Sequence, residues 1–189
     1  MIEFEPFNDK EADDEYMHIY FQFYSSPEKL APLKEFILND TFGGRYCDVS
    51  KTNWHDEARD VENDFKFIKL FYDCYWGGYA HYVRHRFPNT ALHLTNVWYQ
   101  IYEPGDQHDW HDHPDEDLAN VLYLEVPDKS VPTEFWLPWD EENPLVPPNV
   151  EVGDTLVFPA QQYHRSPVND TNQRKIVIAF NCKLVSLDS

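Results

Sequence analysis

Apolar and polar positions divide the chain near residue 90. Before that point the spacing is mostly helical, and after it short apolar runs alternate with turn residues. Residues 16–24 (YMHIYFQFY) read as an aromatic-rich strand. Ser26 followed by Pro27 predicts a helix start, with the serine as cap and the proline in the first turn. Pro32 is expected to interrupt that helix and leave residues 33–39 as its regular part, and Gly43-Gly44 marks a loop. From about residue 56, Val61, Phe65, Ile68, Tyr72 and Tyr75 recur at alternating spacings of four and three, which is one face of a helix. Gly77-Gly78 is expected to break it before residues 79–87 resume.

After Pro88-Asn89 the runs become strand-like: residues 91–103, 109–113, 119–125, 134–137, 155–158 and 175–182. Turn residues separate them, at Pro104-Gly105-Asp106, Pro127-Asp128, Val152-Gly153-Asp154 and Asn169-Asp170. Many short strands with regular turns predict a sandwich or barrel. The longest gap, residues 138–148 (PWDEENPLVPP), is proline-rich and acidic and carries Trp139; it is expected to be a surface loop that closes over a pocket. The expected class is α+β in one domain, 1–189. Its N-terminal strand and helices (1–90) pack against a double-stranded β-helix, a jelly-roll or cupin-like core, over 91–189.

Composition narrows the function. A chain of 189 residues, 16% of them aromatic, can bury a sizeable core. The 34 acidic residues outnumber the 15 basic ones, giving a net charge of −19. That field repels phosphate backbones, so no nucleic-acid partner is expected. Cys47, Cys74 and Cys182 form no Cys-x-x-Cys pair, which argues for a reducing compartment and against disulfides or thiolate zinc. The N-terminus lacks the blocks of a signal peptide, and no apolar run reaches membrane-spanning length. A cytoplasmic protein without a membrane partner is the expectation.

The chemistry concentrates in residues 107–124 (QHDWHDHPDEDLANVLYL), where His108, His111 and His113 stand among Asp109, Asp112 and Asp115. Strand alternation would send Asp109, His111, His113 and Asp115 to one side. Two imidazoles two residues apart on one face can hold one cation, as in the facial triads of non-haem iron. The third ligand has to come from a neighbouring strand. His164 is the candidate, placed between the apolar run 155–158 and the strand-like 176–180. A second pair, His81 and His85, has helical spacing but no acid between and arginines beside it; it reads as a surface pair.

With these residues in place, the stretch 95–184 resembles the 2-oxoglutarate and Fe(II)-dependent oxygenases, and in particular a hydroxylase branch of marine bacteria and phages with a His-x-His-Pro motif. The landmarks are Trp98, Gly105, His111-Asp112-His113-Pro114, Leu122-Tyr123-Leu124-Glu125-Val126-Pro127, Gly153, Phe158-Pro159, His164, Arg174 and Phe180-Asn181. The resemblance implies Fe(II) as metal and 2-oxoglutarate as co-substrate. It also implies a bidentate arginine on the distal carboxylate, for which Arg174 stands ten residues after His164. Tyr123 and Tyr102 match tyrosines that assist in prolyl hydroxylases, and Gln100 shares a strand face with Tyr102. The wider superfamily has an acid at the second motif position, where His113 stands here. Two ligand sets follow: His111, His113 and His164, or a set restored by Asp115. Spacing to Tyr123 favours three histidines, with Asp115 as a substitute or an outer acid.

The expected function is a dioxygenase that hydroxylates a small-molecule or peptidyl substrate, with a homodimer as candidate assembly. A three-histidine cupin-type metalloenzyme without 2-oxoglutarate and a non-catalytic jelly-roll binding module are the alternatives. Arg174 discriminates against the first alternative, whose chemistry has no need of a buried arginine ten residues after His164; in the second the histidines would be surface decoration.

Overall fold

The structure, a computed structural model, describes residues 19–54, 61–127 and 132–187. The predicted strand at 16–18, the helix start at 56–60 and the turn residue Asp128 lie outside them. The chain begins with β1 (Phe21–Tyr24), α1 (Pro27–Asn39), β2 (Gly44–Tyr46) and β3 (Val49–Thr52). Next come α2 (Val61–Phe71), a π turn (Tyr72–Trp76) and α3 (Gly77–Arg86). The remaining elements are all strands. They are β4 (Thr90–Tyr102), β5 (His108–His111), β6 (Leu118–Glu125), β7 (Glu134–Leu137), β8 (Asp140–Leu145), β9 (Asp154–Pro159), β10 (His164–Ser166) and β11 (Lys175–Ser186).

Every pairing between them is antiparallel. A seven-stranded sheet has the order β1-β9-β6-β11-β4-β3-β2, and a four-stranded sheet the order β5-β10-β7-β8. Three N-terminal strands thus join the sheet built by the C-terminal half. The sheets face each other through Tyr102, Ala119, Tyr123, Leu156, Phe158 and Val177 on the larger and Phe135 and Leu137 on the smaller. The larger sheet's other face carries the helices, through Leu122, Leu124, Ile176, Ile178, Phe180 and Cys182. β6 and β11 are therefore covered on both sides, which is why their sequences are nearly continuous apolar runs.

Pro32 does not shorten α1. It lies on the exposed side of a continuous helix, whose Leu30, Leu33 and Ile37 are buried. The carbonyl that loses its partner can bond water there, and the buried stripe outweighs the cost of the proline.

Of the predicted helical face, Tyr75 is buried and Ile68 packs against the core, but Phe65 and Tyr72 are not buried. Phe65 is 67% exposed and Tyr72 45%, whereas Phe67, Phe71, Tyr75 and Tyr79 are buried. This stripe advances in steps of four, and each such step overshoots a 3.6-residue turn by about 40°. The wider π turn takes the overshoot back, so that all four rings stay on the sheet. Gly77 continues the helix at φ −60° instead of breaking it. The rings close around Phe180 of β11, with centroids at 5.2 Å (Phe71), 5.7 Å (Tyr75) and 5.0 Å (Tyr79).

Residues 138–148 are not a free loop. β8 pairs with β7, Phe135 opposite Leu145, and Pro144 is tolerated because β8 is the sheet edge. Trp139, 65% exposed, points to solvent. At the turn into β9, Gly153 has φ +98°, and a Cβ there would stand 2.2 Å from the Ser25 carbonyl oxygen. No other residue type fits that position.

Removing a ring from the shared cluster should be far more costly than removing one from the predicted face. Phe180→Ala should destabilise the protein by about 3–5 kcal/mol, and Tyr72→Ala by less than about 1 kcal/mol. Urea unfolding of both variants measures the contrast.

Candidate metal centre

β5 and β10 bring the histidines together. His164 pairs with His111, but Ser166, two residues on, pairs with His108, three residues back. That extra residue is a bulge in β5, and it breaks the alternation. His108 and His111, of opposite parity, both line the cavity between the sheets, while Trp110 turns to the outer face and stacks with Tyr163. Beyond the bulge, the His113 N–H bonds the Ala160 carbonyl at 2.8 Å, and a turn through Pro114 closes from the Glu116 N–H to the His113 carbonyl at 3.0 Å. Asp109 and Asp115 are both exposed, Asp115 inside that turn, so the predicted common face does not form.

Among the described residues, one group of ligand-type side chains converges: His111, His113 and His164, whose ligand atoms lie within 4.8 Å of one another. Asp115 is not part of it. The turn-forming proline directs Asp115 outward, which removes it as substitute ligand. The His111 Nδ1 is 2.7 Å from the Asp109 carbonyl and the His164 Nδ1 is 2.8 Å from the Gln162 carbonyl. A carbonyl only accepts, so each Nδ1 carries the proton and each Nε2 presents a lone pair, the tautomer a metal needs.

Burial keeps the imidazoles neutral. It lowers His113 to about 4 and His108 to about 4, with the His111 ring adding to both. Burial also lowers His111, against the pull of its Asp109 hydrogen bond, and puts His164 well below the usual histidine range. His108 was the ligand-type residue left out of the sequence-derived set; its ring stacks on His111 at 4.2 Å and its Nδ1 lies 3.3 Å from Gln100 Nε2. The bulge that turns it inward leaves no pattern in the sequence.

Arg174, the residue expected on the distal carboxylate, does not line the cavity. Along β11, Lys175, Val177, Ala179 and Asn181 line the cavity. Arg174 has the other parity and is 38% exposed. It is held by Glu125 at 2.8 Å, and Glu125 also takes Lys34 of α1 at 2.7 Å. Burial pushes the Glu125 carboxyl up, but the two cations outweigh it and leave it lowered. Arg174 therefore ties the start of β11 to β6, Glu125 carries the link on to α1, and Arg174 is not among the cavity residues.

Lys175 does face them. Its ammonium donates to the Ser166 hydroxyl and lies 4.5 Å from the centre of the Tyr102 ring. Burial lowers it to about 7, with Glu134 opposing. The sequence held a sign of this: Lys175 and Asn181, the polar ends of an apolar run, have equal parity, and Arg174 does not.

Tyr102 and Gln100 line the cavity. Tyr123 stands behind it: its hydroxyl bonds the Thr133 hydroxyl at 2.9 Å and accepts the Thr133 N–H at 2.8 Å, and Thr133 is the residue that lines the wall. On α3, His85 is exposed and His81 half-buried, Nε2 to Nε2 at 3.2 Å.

No family model matches the sequence, and no curated protein does. Solved structures share the fold. A 2OG-Fe(II) oxygenase family oxidoreductase from Burkholderia pseudomallei is 9% identical, with a TM-score of 0.62 over 87% of this chain and 84% of its own. A prolyl-4-hydroxylase from Pseudomonas putida is 15% identical, with a TM-score of 0.54 over 90% and 95%. The viral collagen prolyl hydroxylase from Paramecium bursaria Chlorella virus-1, in its 2OG complex, is 14% identical, with a TM-score of 0.53 over 88% and 96%. At such identities the likeness is one of fold. No helix among the described residues is long and apolar enough to cross a membrane.

The depressed histidines set a pH dependence of stability. Their contribution is fully present above the unfolded value of 6.5 and is lost as pH falls from 6.5 to about 4, where the unfolded chain binds the extra protons. The urea midpoint of metal-free protein should fall through this window, and less steeply in a His108→Asn/His113→Asn variant. Equal slopes in the two proteins would contradict the burial of these rings.

Proposed function

We propose that the protein is an Fe(II)- and 2-oxoglutarate-dependent dioxygenase that hydroxylates a small-molecule or peptidyl substrate. The observation that carries this reading is the meeting, in one cavity, of three convergent neutral imidazoles and a buried lysine. The two facing sheets are then the double-stranded β-helix of such enzymes, and the helices brace its larger sheet, within one domain spanning 1–189. The shared fold with 2-oxoglutarate oxygenases supports this.

The donor set fits the metal. Imidazole suits iron among other first-row ions, and the proton arrangement on His111 and His164 leaves each Nε2 ready to bind. The roles follow: His111, His113 and His164 hold the ion, and His108 with Gln100 lines the space beside it. Three neutral ligands bring no negative charge, so an anionic co-substrate is what balances the centre.

Lys175 is placed to hold the distal carboxylate of 2-oxoglutarate, with Ser166 and Tyr102 fixing its ammonium. A carboxylate there restores the charged form that burial disfavours. Val121, Phe158, Val177 and Ala179 keep water from the walls. Bound Fe(II) and 2-oxoglutarate supply oxidation by O₂, in which decarboxylation to succinate is coupled to oxygen insertion into a substrate C–H bond.

One observation favours a second reading. The cluster contains no carboxylate, as in three-histidine cupin-type enzymes that use no 2-oxoglutarate. A lysine buried at the end of the cavity has no task in that chemistry, which supports the first reading.

Lys175→Ala should weaken 2-oxoglutarate binding by roughly 10- to 100-fold, the value of a hydrogen bond to a charged group. Arg174→Ala should leave it unchanged, and neither should alter Fe(II) affinity. In the unmodified protein 2-oxoglutarate affinity should fall above pH 7 as Lys175 loses its proton, and the Lys175→Arg variant should lose that dependence. Calorimetric titration, with succinate release as the activity readout, checks each. Weakening by Arg174→Ala alone would overturn the assignment.

A further inference from the structure

Two asparagines line the cavity, and they are used differently. Asn120 is spent on the fold: its Nδ2 donates to the Phe180 carbonyl at 3.0 Å, and its Oδ1 accepts the Tyr79 hydroxyl. Asn181 is only 3% exposed, and its Oδ1 is buried with no hydrogen-bond partner. No bond from its Nδ2 to any described residue is present either. A buried carbonyl oxygen left unmatched costs about 1–3 kcal/mol, and native proteins keep few of them.

Its position says what completes it. On β11 the cavity residues run Lys175, Val177, Ala179, Asn181, with about 6.7 Å between alternate residues. Gln100, beside His108, pairs with Val177; Trp98, whose ring is 6.0 Å from that of His113, pairs with Ala179. The histidines therefore face the middle of the strand. Lys175 lies to one side of them and Asn181 one pleat beyond them on the other. Trp98, Ala119, Val121 and Ala179 give the cavity an apolar wall beside Asn181, whose register partner on β4 is the polar Asn96, bonded to Glu116 at 3.4 Å. A group bound there is next to the metal ligands and away from the anion end.

We propose that Asn181 is the substrate-recognition residue, and that the substrate carries an amide edge, a carboxamide or peptide group with a donor beside an acceptor, close to the carbon that is oxidised. This rests on the oxygenase reading for the word substrate, but the binding it describes does not need the metal. A free carboxamide offers one acceptor and one donor side by side, and another amide matches both in a paired arrangement. A carboxylate would leave Oδ1 unmatched, and an ammonium would leave Nδ2 unmatched. The apolar wall suits the hydrocarbon that flanks the amide.

Three probes of similar size separate these chemistries: propionamide, 2-butanone as acceptor only, and propylammonium as donor only. Binding is read from the ¹⁵N–¹H₂ resonances of the asparagine side chains, on metal-free and on Zn(II)-loaded protein. Propionamide should bind about tenfold more tightly than either of the others, the effect of one added hydrogen bond. Asn181→Leu, with the same branching and number of heavy atoms, should abolish the preference. Its urea stability should be equal to or above that of the parent, because an unmatched amide is replaced by an apolar group. Equal affinity for the three probes, an unchanged preference in the leucine variant, or a leucine variant that is destabilised or unfolded would each overturn the proposal. Succinate release on Fe(II) and 2-oxoglutarate is measured separately, so failure of the oxygenase reading shows there without affecting the probe result.

Discussion

Everything at the site depends on the double burial of β11. The strand is hydrogen-bonded on both edges, to β4 and β6, and covered on both faces. Its even-numbered residues from Ile176 to Cys182 lock into the aromatic cluster of the helices, where Phe180 meets Phe71, Tyr75 and Tyr79. That interlock fixes the parity, and the parity sends Lys175, Val177, Ala179 and Asn181 into the cavity. A slip by one residue would move every one of these to the wrong face. The π turn serves the same end, since it keeps the ring stripe aligned with the strand. The helices thus take part in the chemistry only through the register they impose.

The smaller sheet supplies the ligands through the opposite device, an irregularity. The β5 bulge delivers three imidazoles from a segment too short to do so by alternation, and His164 completes the group from a three-residue strand. Burial keeps the rings neutral, and the carbonyl bonds at Nδ1 of His111 and His164 leave their Nε2 atoms ready for a metal. With Lys175 at one end and Asn181 at the other, the cavity holds its histidines between two polar ends. Such a layout orders two different ligands around a centre.

Strands with strong apolar runs were legible in the sequence; 134–137 falls on β7 to the residue, and β6 and β9 within one. β10 and β2 were not, because three residues carry no usable period. β8 was hidden by its prolines and acids, which an edge strand tolerates. The convergence of His111, His113 and His164 was readable from type and order alone. Arg174 suits a carboxylate by its chemistry, but its parity turns it away from the cavity to Glu125. Tyr123 was placed one layer too near, and His108 was missed because a bulge, not a motif, turns it inward.

The central claim is that three histidines hold the metal and Lys175 the co-substrate. The most direct measurement is a crystal structure of the protein loaded with Fe(II), or Mn(II) in its place, and 2-oxoglutarate under anaerobic conditions. The account predicts an ion about 2.1 Å from the Nε2 atoms of His111, His113 and His164, with the distal carboxylate on Lys175 and Arg174 still paired with Glu125. An ion ligated by Asp115, or a co-substrate carboxylate held by Arg174, would contradict it.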